Sequence, residues 1–245
     1  MAVYGPDQVQ LLLIGGYDLL QGNVMQFTDK EEAILEQTNG LGDAWEEHSY
    51  VGVRKAEFGL EAFYDDATGS IHAALDLATA TSQILCYGVE GTATGADFVG
   101  YAGAMQIDYE RLVARDELTK IKASFKGSGA VSQGQIVRML SSATVSGAST
   151  GTPLDNAASN TSGGVGFLQV TDFSSWGAGG AVTVSLVDSP DNITYSNLST
   201  FASTTGEHKA ARNVITGAIQ RYTAANWTAS GATGNIKFFV GLSRT

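Results

Sequence analysis

The chain has 245 residues, with 30 glycines against 3 prolines, 16% charged residues and a formal net charge of −11. That acid excess argues against a protein that grips nucleic acid through its phosphates, which needs clustered Lys and Arg, and a single cysteine, Cys86, leaves no disulfide framework and no cysteine-based zinc site. Many glycines with few charges suit a turn-rich β protein with a Ser/Thr/Asn/Gly surface.

The opening stretch MAVYGPDQVQLLLIGGYDLL lacks a basic n-region and holds only the short apolar run LLLI, so it does not read as a signal peptide. No run approaches the length of a membrane span, and synthesis in the cytoplasm is the expectation. Residues 8–14 read as a first strand broken by Gly15-Gly16, and NVMQF at 23–27 as a second. TDKEEAILEQTNGLG, 28–42, reads as locally helical, with Thr28 or Asp29 as a cap and Glu31 and Glu32 in the first turn; an acidic loop is the alternative.

Residues 50–64 alternate. Tyr50, Gly52, Arg54, Ala56, Phe58, Leu60, Ala62 and Tyr64 fall on one face, which turns apolar from Ala56 onward. This predicts a strand entering a core, stopped by Asp65-Asp66. Ile71, Ala74, Leu75 and Ala78 then recur at helical spacing. Segments 83–91, 97–114 and 117–129 alternate again. In the last, Lys120, Lys122, Ser124 and Lys126 oppose Ile121, Ala123 and Phe125. Cys86 lies in the apolar run QILCYGV and is expected to be buried.

The composition changes near 127. Residues 1–126 hold 20 acids and 8 bases, residues 127–245 hold 5 and 6, and such a break suggests two domains. QGQIVRMLSSATVSGAST holds one strand-like piece, TGTPLDNAASNTSGG reads as a linker, and about six short strands follow from 165 at sandwich-like spacing. The division is therefore 1–140, a linker at 141–164, and 165–245. The expected fold is mainly β: a sandwich or barrel with one packed helix, then a second β-sandwich.

Asp65, Asp66 and His72 could ligate a metal, but adjacent strand residues point to opposite faces, so a strand stop and a helix-terminus charge explain the aspartates better. DSPDN at 188–192 lacks the spaced oxygen ladder of a calcium loop and reads as a turn. GTATG at 91–95 has no GK[ST] after it, and no GxSxG accompanies the three histidines. No catalytic residue, metal or cofactor is expected, and Asn-x-Ser/Thr sequons at Asn160, Asn192, Asn197 and Asn226 carry little weight. Trp176, Tyr195, Phe201, Tyr222 and Trp227 could line a carbohydrate site, but core packing explains them more simply.

The stretch VGVRKAEFGLEAFYDDATGSIHAAL, followed by FVGYAGAM and SFKGSG, resembles the tail tube (major tail) proteins of long-tailed, non-contractile bacteriophages, in a match covering roughly residues 5–135. The second half is similar to β-sandwich segments of phage virion proteins, Ig-like or jelly-roll-like, carried outside a tube domain. The resemblance implies a structural virion protein, not an enzyme: a siphovirus-type tail subunit forming stacked hexameric rings around a channel for DNA ejection. It implies as partners other copies of the chain, a tape measure protein, and tail terminator and distal tail proteins. DNA would pass without specific binding, and no membrane is involved. A long loop that reaches the neighbouring ring is expected at 28–50, carried by Asp29, Glu31, Glu32, Glu36, Asp43, Trp45 and Tyr50. Lys55, Glu57 and Glu61 are expected to face the lumen, and the acidic first domain to repel DNA phosphates. The alternatives are a capsid decoration or head–tail joining protein, or a carbohydrate-binding module for host attachment.

Overall fold

A computed structural model describes residues 10–22, 24–37, 48–65, 71–76 and 82–245. The described chain is mainly β, in antiparallel sheets with one short helix.

The first half contains β1 (Leu12–Ile14), β2 (Tyr17–Asp18), β3 (Val24–Gln37), β4 (His48–Phe63), α1 (Ile71–Leu75), β5 (Gln83–Gly88), β6 (Asp97–Leu112) and β7 (Lys120–Gly127). The alternation in β4 decides its orientation: Phe58, Leu60 and Ala62 are buried, together with Ile121, Ala123 and Phe125 on β7. The sheet runs β3-β4-β7-β6-β5-β1-β2 and curls so that β3 faces β5 across a shared core. Phe27 of β3 packs 5.4 Å from the ring of Tyr87 on β5. Helix α1 closes the curl, burying Ile71, Ala74 and Leu75 at the spacing expected of its inner face.

Residues 28–37 form strand rather than helix. Lys30 lies opposite Glu57, Glu32 opposite Lys55 and Ala33 opposite Arg54, so pairing with β4 overrides a helix-friendly composition.

The second half contains β8 (Val131–Val145), β9 (Ala148–Thr150), β10 (Leu154–Asp155), β11 (Gly164–Ser174), β12 (Ala181–Ser189), β13 (Ser196–Thr200), β14 (Lys209–Ile215), β15 (Tyr222–Ser230) and β16 (Gly234–Arg244). β14-β11-β16-β8 form one layer, and β10-β15-β12-β13 with β9 form the other. Between them lies a core that includes Leu168, Val184, Leu186, Trp227, Phe238 and Val240.

The boundary drawn at 140 falls inside β8, and the stretch 141–164 carries the end of β8 with β9 and β10 rather than a free linker. β7 and β8 are nearly one strand: both run antiparallel along the same side of β6, with a kink at Ser128-Gly129-Ala130. Ser128 donates its N–H to the Gly103 carbonyl at 2.7 Å across that kink. β8 then continues into the second sandwich, where it pairs with β16.

The halves also share a core. Leu11, Leu13, Cys86 and Phe98 from the first pack with Ile136, Val165, Phe167 and Phe239 from the second. Gln169, wholly buried, accepts the Gly16 N–H at 2.7 Å and donates to the Ile84 carbonyl at 2.9 Å. Tyr17 stacks on His208 at 3.8 Å, and Asp18 faces Lys237 at 3.7 Å.

Candidate assembly surface

The strands β3, β4, β7 and the C-terminal part of β6 form a two-faced sheet. Its inner face is the core just described. On its outer face Lys30 and Lys126 flank Glu57, and Gln26 and Lys122 flank Glu61. Lys122 lies in turn between Glu61, at 3.4 Å, and Glu110, with Asp108 opposite Ser124. Lys55, Glu57 and Glu61, expected to share a lumen-facing surface, do lie on this one face.

The sign of the face differs from the expectation of a repelling, acidic surface. Five acids (Glu32, Glu57, Glu61, Asp108, Glu110) alternate with five bases (Lys30, Lys55, Lys120, Lys122, Lys126). The acid excess of residues 1–126 therefore lies elsewhere. A balanced checkerboard gives a polyanion neither a strong attraction nor a strong repulsion.

Among the described residues, this sheet has two open lateral edges. β3 pairs on one side, with β4. β6 beyond Ala104 pairs on one side, with β7. β3, β4, β7 and β6 alternate in direction, so the β6 edge of one copy is antiparallel to the β3 edge of another.

β4 pairs with β7 from Glu57 onward, so the hairpin beyond Glu31 and Ala56 is a two-stranded arm. Its strands run another six residues, from Glu31 to Gln37, or roughly 20 Å at about 3.4 Å per residue. Glu31, Glu32, Leu35 and Glu36 on it are exposed. Tyr50 pairs with Leu35 within the arm, while Asp43 and Trp45 lie outside the described residues.

Asp29 departs from its expected role as an arm contact. It shares the inner face with Phe58, and its carboxylate accepts hydrogen bonds from the hydroxyls of Tyr87 and Tyr101. Burial first, and then the Asp29 carboxylate, push both tyrosine hydroxyls well above their ordinary pKa. Asp29, itself exposed, thus ties the base of the arm to two tyrosines of the core. Sequence reading missed this because its only signal was an acid where alternation puts an inward side chain.

Asp65 follows β4 as an exposed residue, and Asp66 lies outside the described residues. His72 is engaged elsewhere: its Nδ1 is 2.7 Å from the Tyr109 hydroxyl and its Nε2 is 3.8 Å from Asp76. Arg111 closes this cluster, 3.5 Å from Asp76 and over the rings of Tyr64 and Tyr109. In the DSPDN turn, Asp191 accepts the N–H groups of Ile193 and Thr194, which holds its carboxyl below the usual range. Trp227 is buried, edge-on to Phe238 and 4.5 Å from the Arg138 guanidinium, so its ring packs the second core rather than offering a face to a sugar. Cys86 is buried, and its thiol is pushed up to about 12 by burial.

No protein-family model matches the chain, and no curated protein matches it. Among solved structures, similarity is found to the tail of an empty gene transfer agent particle, refined with six-fold helical symmetry, at 13% identity and TM-score 0.42. That match covers 53% of this chain and 98% of the other. The virion of a native gene transfer agent particle gives 13% identity and TM-score 0.38 over 53% of this chain and 97% of the other. The Dit protein of phage SPP1, described as a hub of the adsorption apparatus in phages of Gram-positive hosts, gives 12% identity and TM-score 0.33, over 96% of this chain and 99% of that one. At these TM-scores none of the likenesses carries a functional assignment.

Proposed function

We propose that this chain is a structural virion protein, a tail tube subunit whose copies close into rings that stack around a channel. The observation that carries this reading is the four-stranded sheet with an apolar inner face, a charge-balanced outer face and two open edges of compatible direction. An exposed edge as long as β3 invites pairing with another chain, and ring closure by identical copies is the arrangement that leaves no edge open. The balanced outer face would line the channel and let a polyanion pass without holding it. The arm would reach the adjoining ring, and the second sandwich would lie outside. Hexameric rings follow from the family resemblance, as do the tape measure, terminator and distal tail partners. The role is assembly and conduction rather than catalysis.

Electron microscopy of the purified chain across a range of salt and protein concentrations tests this. Rings or hollow tubes are expected. A chain that stays monomeric under every condition, and that is missing from the tails of the intact particle, overturns the reading.

A further inference from the structure

Given that reading, on which this one rests, we infer that neighbouring copies join in one register, with Lys30 of one copy opposite Asp108 of the next and Thr28 opposite Glu110.

The outer face supplies the argument. Along the β3 edge its side chains are Gln26, Thr28, Lys30 and Glu32. Along the β6 edge they are Leu112, Glu110 and Asp108, and there the pairing register breaks: the extra residue Ile107 forms a bulge. The bulge switches which side chains face outward, from Met105 before it to Asp108, Glu110 and Leu112 after it, so 108–112 is the stretch that meets a neighbouring copy with a single parity. Because side chains alternate, only registers that differ by two residues keep both charged faces on the same side.

Three registers bring Lys30 against the 108–112 segment. Lys30 opposite Leu112 sets Glu32 against Glu110. Lys30 opposite Glu110 sets Glu32 against Asp108. Each contains a like-charge pair directly across the strands, which is destabilising. Lys30 opposite Asp108 contains none: Thr28 meets Glu110, Gln26 meets Leu112, and Glu32 falls beside the bulge. The middle register would also bring Asp29 against Arg111. Those two are already committed within their own copy, Asp29 to Tyr87 and Tyr101, Arg111 to Asp76. Forming that pair would give up the two tyrosine bonds of Asp29 and the Arg111–Asp76 pair, whereas Lys30 opposite Asp108 gives up only its exposed contact with Glu32 at 3.2 Å. The favoured register also sets Phe27 against Arg111 and Asp29 against Tyr109 on the inner face, with no like charges.

Disulfide trapping in assembled particles tests the register. Native Cys86 is fully buried, so it adds no background thiol. Directly opposed residues have Cβ atoms about 4.5–5.5 Å apart, against about 7–8 Å for diagonal neighbours, and a disulfide needs about 3.5–4.5 Å. Thr28→Cys with Glu110→Cys is expected to give a ladder of covalent oligomers on mild oxidation. Lys30→Cys with Glu110→Cys is expected to give at least tenfold less. Charge exchange provides a second measurement should a cysteine variant fail to assemble. Asp108→Lys should raise the protein concentration needed for assembly several-fold, and adding Lys30→Glu should restore it. A ladder from the second cysteine pair alone, from neither pair, or a charge exchange without restoration overturns the register while tubes still form. If the unmodified chain forms neither rings nor tubes and is missing from the tails of the intact particle, the register and the tube reading fall together.

Discussion

Gln169→Leu removes the polar link across the shared core while nearly keeping side-chain volume. Gln169 is wholly buried, and its amide oxygen is the acceptor for the Gly16 N–H at 2.7 Å. Leucine leaves that buried donor unpaired, at a cost of about 1–3 kcal/mol. The Ile84 carbonyl is less affected, because it also accepts the Gly15 N–H at 3.0 Å; it loses one of two bonds, worth about 0.5–1.5 kcal/mol. The substitution should therefore destabilise the chain by about 2–4 kcal/mol, or roughly 4–16 °C in Tm for a chain of this size. Urea unfolding in a Trp45→Phe background, followed in parallel by fluorescence of Trp176 and Trp227, in the second half, and by reaction of Cys86, in the first, measures it. Both signals should shift together, since β8, β16 and the mixed core tie the halves into one body. A change under about 0.5 kcal/mol, or a Cys86 signal that shifts while the tryptophan signal stays fixed, would refute the reasoning.

Two further perturbations probe the same architecture. Gly16 has φ +89°, and a Cβ there would sit 2.3 Å from the Lys209 backbone nitrogen, so Gly16→Ala should cost about 3 kcal/mol or more. Gly179 has φ +78° with nothing near its missing Cβ, so Gly179→Ala should cost only the backbone strain, about 1–2 kcal/mol; equal denaturation midpoints for the two variants would contradict this. Alkaline pH should also destabilise the fold. Cys86, Tyr87 and Tyr101 all have folded-state pKa values raised above their unfolded ones. Their stabilisation is full below the unfolded values, about 8.5 for the thiol and about 10 for the tyrosines. It is lost as pH rises toward the folded values, by up to about 1.4 kcal/mol per pH unit for each group. Denaturant midpoints that stay level from pH 8 to 11, or a Tyr101→Phe variant with an unchanged slope, would count against the rooting of the arm through Asp29.

What the sequence made legible follows from which signals are local. The strand that stops short of Asp65 needed only the alternation of Phe58, Leu60 and Ala62. Helix α1 needed only the spacing of Ile71, Ala74 and Leu75, and all of these are buried. The outer face was half legible, because Lys55, Glu57, Glu61 and the lysines of β7 each declare their face by parity within one strand. Its charge balance was not, since Glu57 meets Lys30 and Lys126 only through pairings with distant strands. The stretch from Asp29 to Gln37 was misread for the same reason: a run such as DKEEAILEQ is helix-friendly alone, and its partner strand begins at His48.

Around residues 127–164 composition and topology part company. Residues 127–164 are poor in charge and rich in Gly, Ser and Thr, as a linker would be. β8 nevertheless leaves the first sheet after the Gly129 kink and enters the second sandwich as one strand, paired with β16 through two register shifts. Its partner there is β16, the last strand of the chain, which lies between β8 and β11 in the sheet. A pairing between positions such as Val145 and Gly234 leaves no mark on local sequence. This connection bears on assembly as well as on folding. β6, which offers one open edge to a neighbouring copy, pairs directly with β8, so load on that edge passes into the second sandwich through a continuous hydrogen-bonded sheet rather than across a hinge.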